Sequence, residues 1–197
     1  MDIQQTSHKV LRYRIEAMAL AAADVVIGLG GVLFDRRCLG WDTVVLLHDH
    51  TDMRPLQIIG ADCADLRSTL DMPQHPQPAA IAASAQLYRS DPRVCARVDA
   101  AIDSRSTEVL LWGDTDSIGP RPQMIAVAHQ ISRAAATFKA HALTGAAGAT
   151  TSTDLVIEKF LTTRATCQSH TPAVDNYRHG SCATAGSRIR LEDAKAL

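Results

Sequence analysis

The sequence predicts an α/β fold: a small sheet of about three strands covered by helices, followed by a weakly ordered C-terminal tail. Three observations carry this. Thr43–Leu47 and Glu108–Trp112 are apolar runs without polar alternation, the pattern of strands buried on both faces. Long segments around them space their apolar residues by three and four, the pattern of helices. With 46% hydrophobic and 21% charged residues in 197, the composition is that of a globular chain with one core.

The first helix is expected to start near Ser7, with Leu11, Ile15, Met18, Ala22, Val25 and Leu29 on one face. Gly28, Gly30 and Gly31 interrupt it, Val32–Leu39 continues it, and Gly40 ends it. Thr43–Leu47 is the first strand and Pro55–Gly60 the second. The polar His48–Arg54 link between them suits an antiparallel pair and is too short for a parallel crossover. Asp62–Leu70 reads as a short helix, and Asp71–Pro78, with Pro73, Pro76 and Pro78, as a loop. Ala79–Arg89 reads as a further helix. Asp91 then caps a helix opening at Pro92, with Val94, Val98 and Ile102 as its apolar face. Glu108–Trp112 is the third strand, and residues 113–122 form a loop rich in Asp, Gly and Pro. The last long helix is expected over residues 123–143, with Met124, Val127, Ile131, Ala135, Phe138 and Ala142 facing the core. Asp154–Phe160 reads as a short helix. The expected division is an α/β domain over 1–148 and a tail over 149–197, because little beyond Leu155, Val156 and Phe160 can be buried there.

A formal net charge of −1, with basic residues only in short pairs such as Arg36 and Arg37, argues against nucleic-acid binding. No run reaches the ~18 apolar residues of a membrane span, and the polar start is unlike a signal peptide. The five scattered cysteines, an odd number, suit a reducing compartment, so a cytoplasmic setting is expected.

Four constellations can carry chemistry. Val25–Gly31 resembles the strand and glycine turn of a dinucleotide-binding fold, with Gly28, Gly30 and Gly31 against the pyrophosphate. Asp49, 21 positions after Gly28, stands where such a fold binds the ribose, although Leu33 occupies the third glycine position. The competing reading is glycines inside a helix that permit close packing. His48, His50 and Asp52 follow a strand and could ligate one metal ion. They resemble the first part of the His-x-His-x-Asp-His signature of the metallo-β-lactamase fold, with Met53 in place of the next histidine. The competing reading is a polar loop. Cys167, His170, His179 and Cys182 form two mirrored pairs suited to zinc, and Asp114 and Asp116 follow the third strand. No Gly-x-Ser-x-Gly elbow, P-loop or Cys-x-x-Cys is present.

Gly30–Arg36, Gly40–Val44, Arg54–Gly60 and Phe138–Leu143 resemble a group of uncharacterised actinobacterial proteins, mycobacterial ones included. The resemblance spans roughly residues 10–143 and implies provenance and a cytoplasmic setting, not an activity. The expectation is therefore a non-catalytic binding module whose partner is another protein or a second copy of itself, with no nucleic acid and no membrane. The alternative is a nucleotide- or metal-dependent enzyme using Gly28–Asp49 or His48–Asp52. No cofactor is assigned.

Overall fold

The structure, a computed structural model, describes residues 12–72, 77–144 and 156–163, and the backbone of 188–190. In chain order the elements are β1 (Arg14–Ala19), α1 (Ala22–Cys38), β2 (Asp42–Leu47), α2 (Arg54–Ile58), β3 (Asp62–Asp65), α3 (Leu66–Leu70), β4 (Ala80–Ser84), α4 (Ala85–Ser90), α5 (Pro92–Ser104), β5 (Glu108–Trp112), β6 (Met124–Gln130), α6 (Arg133–Leu143), β7 (Ile157–Thr163) and β8 (Arg188–Arg190).

The eight strands among the described residues join one sheet in the order β3-β2-β1-β4-β5-β7-β6-β8. β1 to β5 are mutually parallel, β7 runs antiparallel between β5 and β6, and β8 pairs antiparallel with β6. The chain winds outward from β1 through β2 to β3, then returns to the other side of β1 to lay down β4 and β5. The winding direction therefore reverses between β1 and β4. In open α/β sheets a ligand crevice opens at that reversal, beyond the carboxyl ends of the strands.

The central strands feed two cores. Ile15, Ala17 and Ala19 of β1, with Leu110 and Trp112 of β5, pack under α1 beside Val25, Leu29 and Leu33. Met18, Ile81, Ala83, Val109 and Leu111 turn the other way, against Leu87 of α4 and Val94, Val98 and Ile102 of α5. α6 packs on α1 and α2, on the first of these faces.

The α/β class stands, but the sheet of about three strands is corrected to eight. The helix expected from near Ser7 to Leu39 begins outside the described residues, and its described part is β1 followed by α1: Ile15–Ala19 are all buried at the centre of a doubly covered sheet, so no exposed polar face marks the strand. β4 reads Ala-Ile-Ala-Ala-Ser, a composition with helical preference that its place between β1 and β5 overrides. Pro55–Gly60 is not a strand. Pro55 lies in the first turn of α2, and Gly60, at φ +75°, turns the chain into β3. β2 and β3 are parallel because α2 lengthens the connection into a true crossover. The helix expected over 123–143 splits into β6 and α6 at Ser132, whose hydroxyl accepts from Ala135 N–H as the N-cap.

Of the helix expected over Asp154–Phe160, Asp154 and Leu155 lie outside the described residues and Ile157–Phe160 belong to β7, between β5 and β6. The boundary expected at 148 therefore falls ahead of a strand of the sheet. Where expectation and structure coincide, the signal was local. β2 and β5 fall on the two apolar runs, α5 starts at Pro92 with the Asp91 carboxylate accepting from Arg93 N–H, and Gly40 follows α1 at φ +84°. No helix among the described residues is long and apolar enough to cross a membrane.

Candidate active site

β1 delivers the chain to the crevice at Ala19, and α1 starts three residues later. Its N-cap, Ala21, has no side chain able to cap the first turn. Asp24 is the acidic residue of that turn, a favourable place beside the positive end of the helix dipole. Two neighbouring strands supply its partners. Trp112, the last residue of β5, donates from its indole Nε1 to Asp24 Oδ1 at 3.4 Å. Ser84, the last residue of β4, brings its hydroxyl beside the Asp24 carboxylate and favours its charged form. Ser84 Oγ accepts from Leu87 N–H at 3.2 Å as the N-cap of α4, which leaves its proton for Asp24. Burial pushes the Asp24 carboxyl above the ordinary aspartate value, against the opposing pull of the indole and the hydroxyl. The arrangement is a half-buried carboxyl at the switch point, ringed by Ala19, Ala21, Ala22 and Ala23 in sequence.

The glycines belong to this site in a different way from the one expected. Gly28, Gly30 and Gly31 lie in the interior of α1, not at a strand-to-helix turn, so the dinucleotide cradle they suggested is not formed. The Trp112 indole lies against Gly28 so closely that a Cβ there would stand 2.1 Å from Cδ1. A Cβ on Gly31 would stand 2.5 Å from Ile131 Cδ1. These positions are glycine because neighbouring side chains press on the helix backbone. Asp49 is engaged locally: its Oδ1 accepts from Thr51 N–H at 2.9 Å and from the Thr51 hydroxyl, bonds that hold its carboxyl below the ordinary value.

The loop carrying His48, His50 and Asp52 is tied to the β1–α1 turn by His48 N–H to Ala19 O (3.2 Å) and Asp49 N–H to Leu20 O (2.8 Å). It therefore rims the crevice, but its three expected ligands do not converge. The His50 ring lies between Asp65 Oδ2 (3.4 Å at Nε2) and Cys63 Sγ (3.9 Å at Nδ1). Asp52 accepts from Arg54 N–H at 3.1 Å. Burial pushes the Cys63 thiol up, away from the thiolate a nucleophile needs. Asp114 pairs with Arg89 at 3.4 Å and Asp116 opens a short 3₁₀ turn, so this acidic pair is not assembled either. Cys167, His170, His179 and Cys182 lie outside the described residues. A cleft of about 490 Å³ is lined by Thr115, Asp116, Arg121 and Met124 among others. Its Arg121 is already engaged by Asp99 (3.1 Å) and the Tyr88 hydroxyl.

Sequence reasoning missed Asp24, Ser84 and Trp112. The one available signal was an acid set in an apolar run just after a strand. It stayed hidden because β1 reads as helix.

No protein family and no curated protein matches the chain. The likeness appears at the level of fold, to solved structures of deacetylases. The solved structure of Dbv21, the deacetylase of the A40926 pseudoaglycone, is 12% identical over 79% of this chain and 99% of that one, with a TM-score of 0.53. The zinc-inhibited form of the teicoplanin deacetylase Orf2 is 12% identical over 79% of this chain and 100% of that one, with a TM-score of 0.51. At such identities the likeness shows the fold. That these two structures are deacetylases counts against the expectation of a non-catalytic module.

Zinc enters through the second of these structures, and the residues of this chain can be tested against it. Among the described residues no three His, Cys, Asp or Glu side chains gather around one point. The recorded side-chain partners of Asp24 are an indole and a hydroxyl, not further ligands. The described residues do not fit a zinc centre.

Proposed function

We propose that the chain is a hydrolase that removes an acyl group from an amine or alcohol, with Asp24 as its proton carrier, in the cytoplasm. The observation that carries this reading is the position of Asp24: a half-buried carboxyl at the switch point, raised above its ordinary value and oriented from β4 and β5. A raised carboxyl exchanges protons more readily near neutral pH, which suits general acid–base work. As carboxylate, Asp24 takes a proton from a water attacking the acyl carbonyl. As acid, it returns that proton to the leaving nitrogen or oxygen. The uncapped N-terminus of α1 places the positive end of a 17-residue helix at the same crevice, where negative charge develops on the carbonyl oxygen. The fold-level likeness to two deacetylases favours acyl transfer to water over other reactions of a crevice carboxyl.

The test is acetate release from a panel of N-acetyl and O-acetyl compounds, amino sugars included, by wild type and Asp24→Asn. Wild type is expected to release acetate, and the variant to be slower by about 10²-fold or more. Equal rates would remove Asp24 from the chemistry. No release from any member of the panel by wild type would sink the acyl-hydrolase reading.

A further inference from the structure

Among the described residues Lys139 of α6 and Glu158 of β7 form an ion pair at 2.6 Å with side chains 1% and 0% exposed. Apolar residues of similar volume generally fill such a space at least as stably, so the pair is not explained by burial alone. Its contacts distinguish it. Lys139 Nζ donates to the Ile27 carbonyl at 2.7 Å. Glu158 Oε1 accepts from Gly31 N–H at 2.7 Å, and its Oε2 from Val32 N–H at 2.9 Å. Ile27 C=O and Gly31 N–H are four residues apart, the spacing of one helical rung. The pair thus grips the backbone of a single turn of α1 from outside, with charge-assisted bonds at both ends.

That turn adjoins the candidate site. Ile27 is three residues beyond Asp24, about 4.5 Å along the helix axis. Gly28, within the gripped turn, is the surface on which the Trp112 indole rests. We propose that the Lys139–Glu158 pair is a positioning device: it fixes α1 lengthwise so that Asp24 stays against Trp112 and Ser84. The bond from Trp112 Nε1 to Asp24 is already long at 3.4 Å. A slide of α1 by a fraction of an ångström breaks it and admits water to the carboxyl. Lys139 and Glu158 both act through the helix backbone.

The inference gains its meaning from the role given to Asp24 above, but its test needs no substrate and so fails or holds separately. The full chain is examined by NMR as wild type, Glu158→Gln and Glu158→Asp, following the Trp112 indole N–H and the titration of the Asp24 carboxyl. Glu158→Gln removes the charge. Glu158→Asp keeps the pair with Lys139 but draws the carboxylate back from Gly31 and Val32. In the folded variants the indole N–H is expected to exchange with solvent ~10-fold faster or more. The Asp24 titration is expected to move from its wild-type position, since the indole bond and the burial that set it both change. A merely structural pair would lower the melting temperature and leave both signals in place, and that result overturns the proposal. If Glu158→Gln does not fold cooperatively, Glu158→Asp decides. Loss of folding in both also overturns it, because the pair would then be a condition of folding rather than of position.

Discussion

Gly28 and Gly30 sit two residues apart on α1, and their environments differ enough to separate them by mutation. A methyl group at 28 meets the Trp112 indole at 2.1 Å, and Trp112 is locked in the core at 1% exposure. At 30 the nearest atom is Val26 Cγ1 at 3.3 Å, the end of a side chain on the same helix. Gly28→Ala is expected to cost about 1–3 kcal/mol through overpacking, outweighing the gain in helix propensity of up to about 1 kcal/mol. Gly30→Ala is expected to cost far less. Urea melts of the two variants check the order, and equal losses would mean that Trp112 does not rest on Gly28. Asp24 gives a second prediction at this scale. Burial raises its folded value above its ordinary 3.8, so between the two the native state binds more protons than the unfolded chain. Its contribution to stability is present below the ordinary value and is lost as pH rises through the folded one. Asp24→Asn is therefore expected to stabilise the protein near neutral pH and to lose that gain in melts at about pH 3. A gain unchanged between the two pH values would show that the carboxyl is not raised.

α5 and β7 show what holds individual elements in place. Asp91 is the N-cap of α5, accepting from Arg93 N–H at 2.9 Å, and its carboxylate also pairs with the Arg93 guanidinium. The side-chain bond with Arg93, first, holds the Asp91 carboxyl below its ordinary value, so the stability it contributes is present above that value and fades as pH falls through the folded one. Asp91→Ala is expected to cost about 1 kcal/mol at neutral pH and less in acid, read by thermal melts at both. A pH-independent loss would point to packing rather than to the cap. In β7 the alternation is legible once the strand is known: Glu158, Phe160 and Thr162 are buried, while Ile157 and Lys159 are exposed. Phe160 is 6% exposed and belongs to the core under α1. Phe160→Ala is expected to cost about 3–5 kcal/mol. A cost below about 1 kcal/mol in denaturant melts would mean that β7 does not seal that core.

For the whole molecule, the central consequence is that β7 lies between β5 and β6. Ending the chain before Ile157 leaves β5 without its second neighbour, detaches β6, and removes Glu158 from α1. Such a truncation is expected to abolish cooperative melting, and a sharp transition in the shortened chain would show that the β1–β5 half folds alone. The sequence by itself determined the α/β class, the apolar strands β2 and β5, the capped start of α5 at Pro92 and the glycine after α1. Each of these is written in a short stretch, by composition, by an Asp-Pro pair or by a residue suited to positive φ. Only the tertiary structure decided that Ile15–Ala19 and Ala80–Ser84 are strands, because a central parallel strand covered on both faces shows neither polar alternation nor, when built of alanine, β preference. It alone decided that His50 and Asp52 take separate partners while Ser84 and Trp112 meet at Asp24. Those three residues come from separate stretches of the chain and meet because β1, β4 and β5 end side by side at the point where the winding reverses, a proximity that no spacing within the sequence encodes.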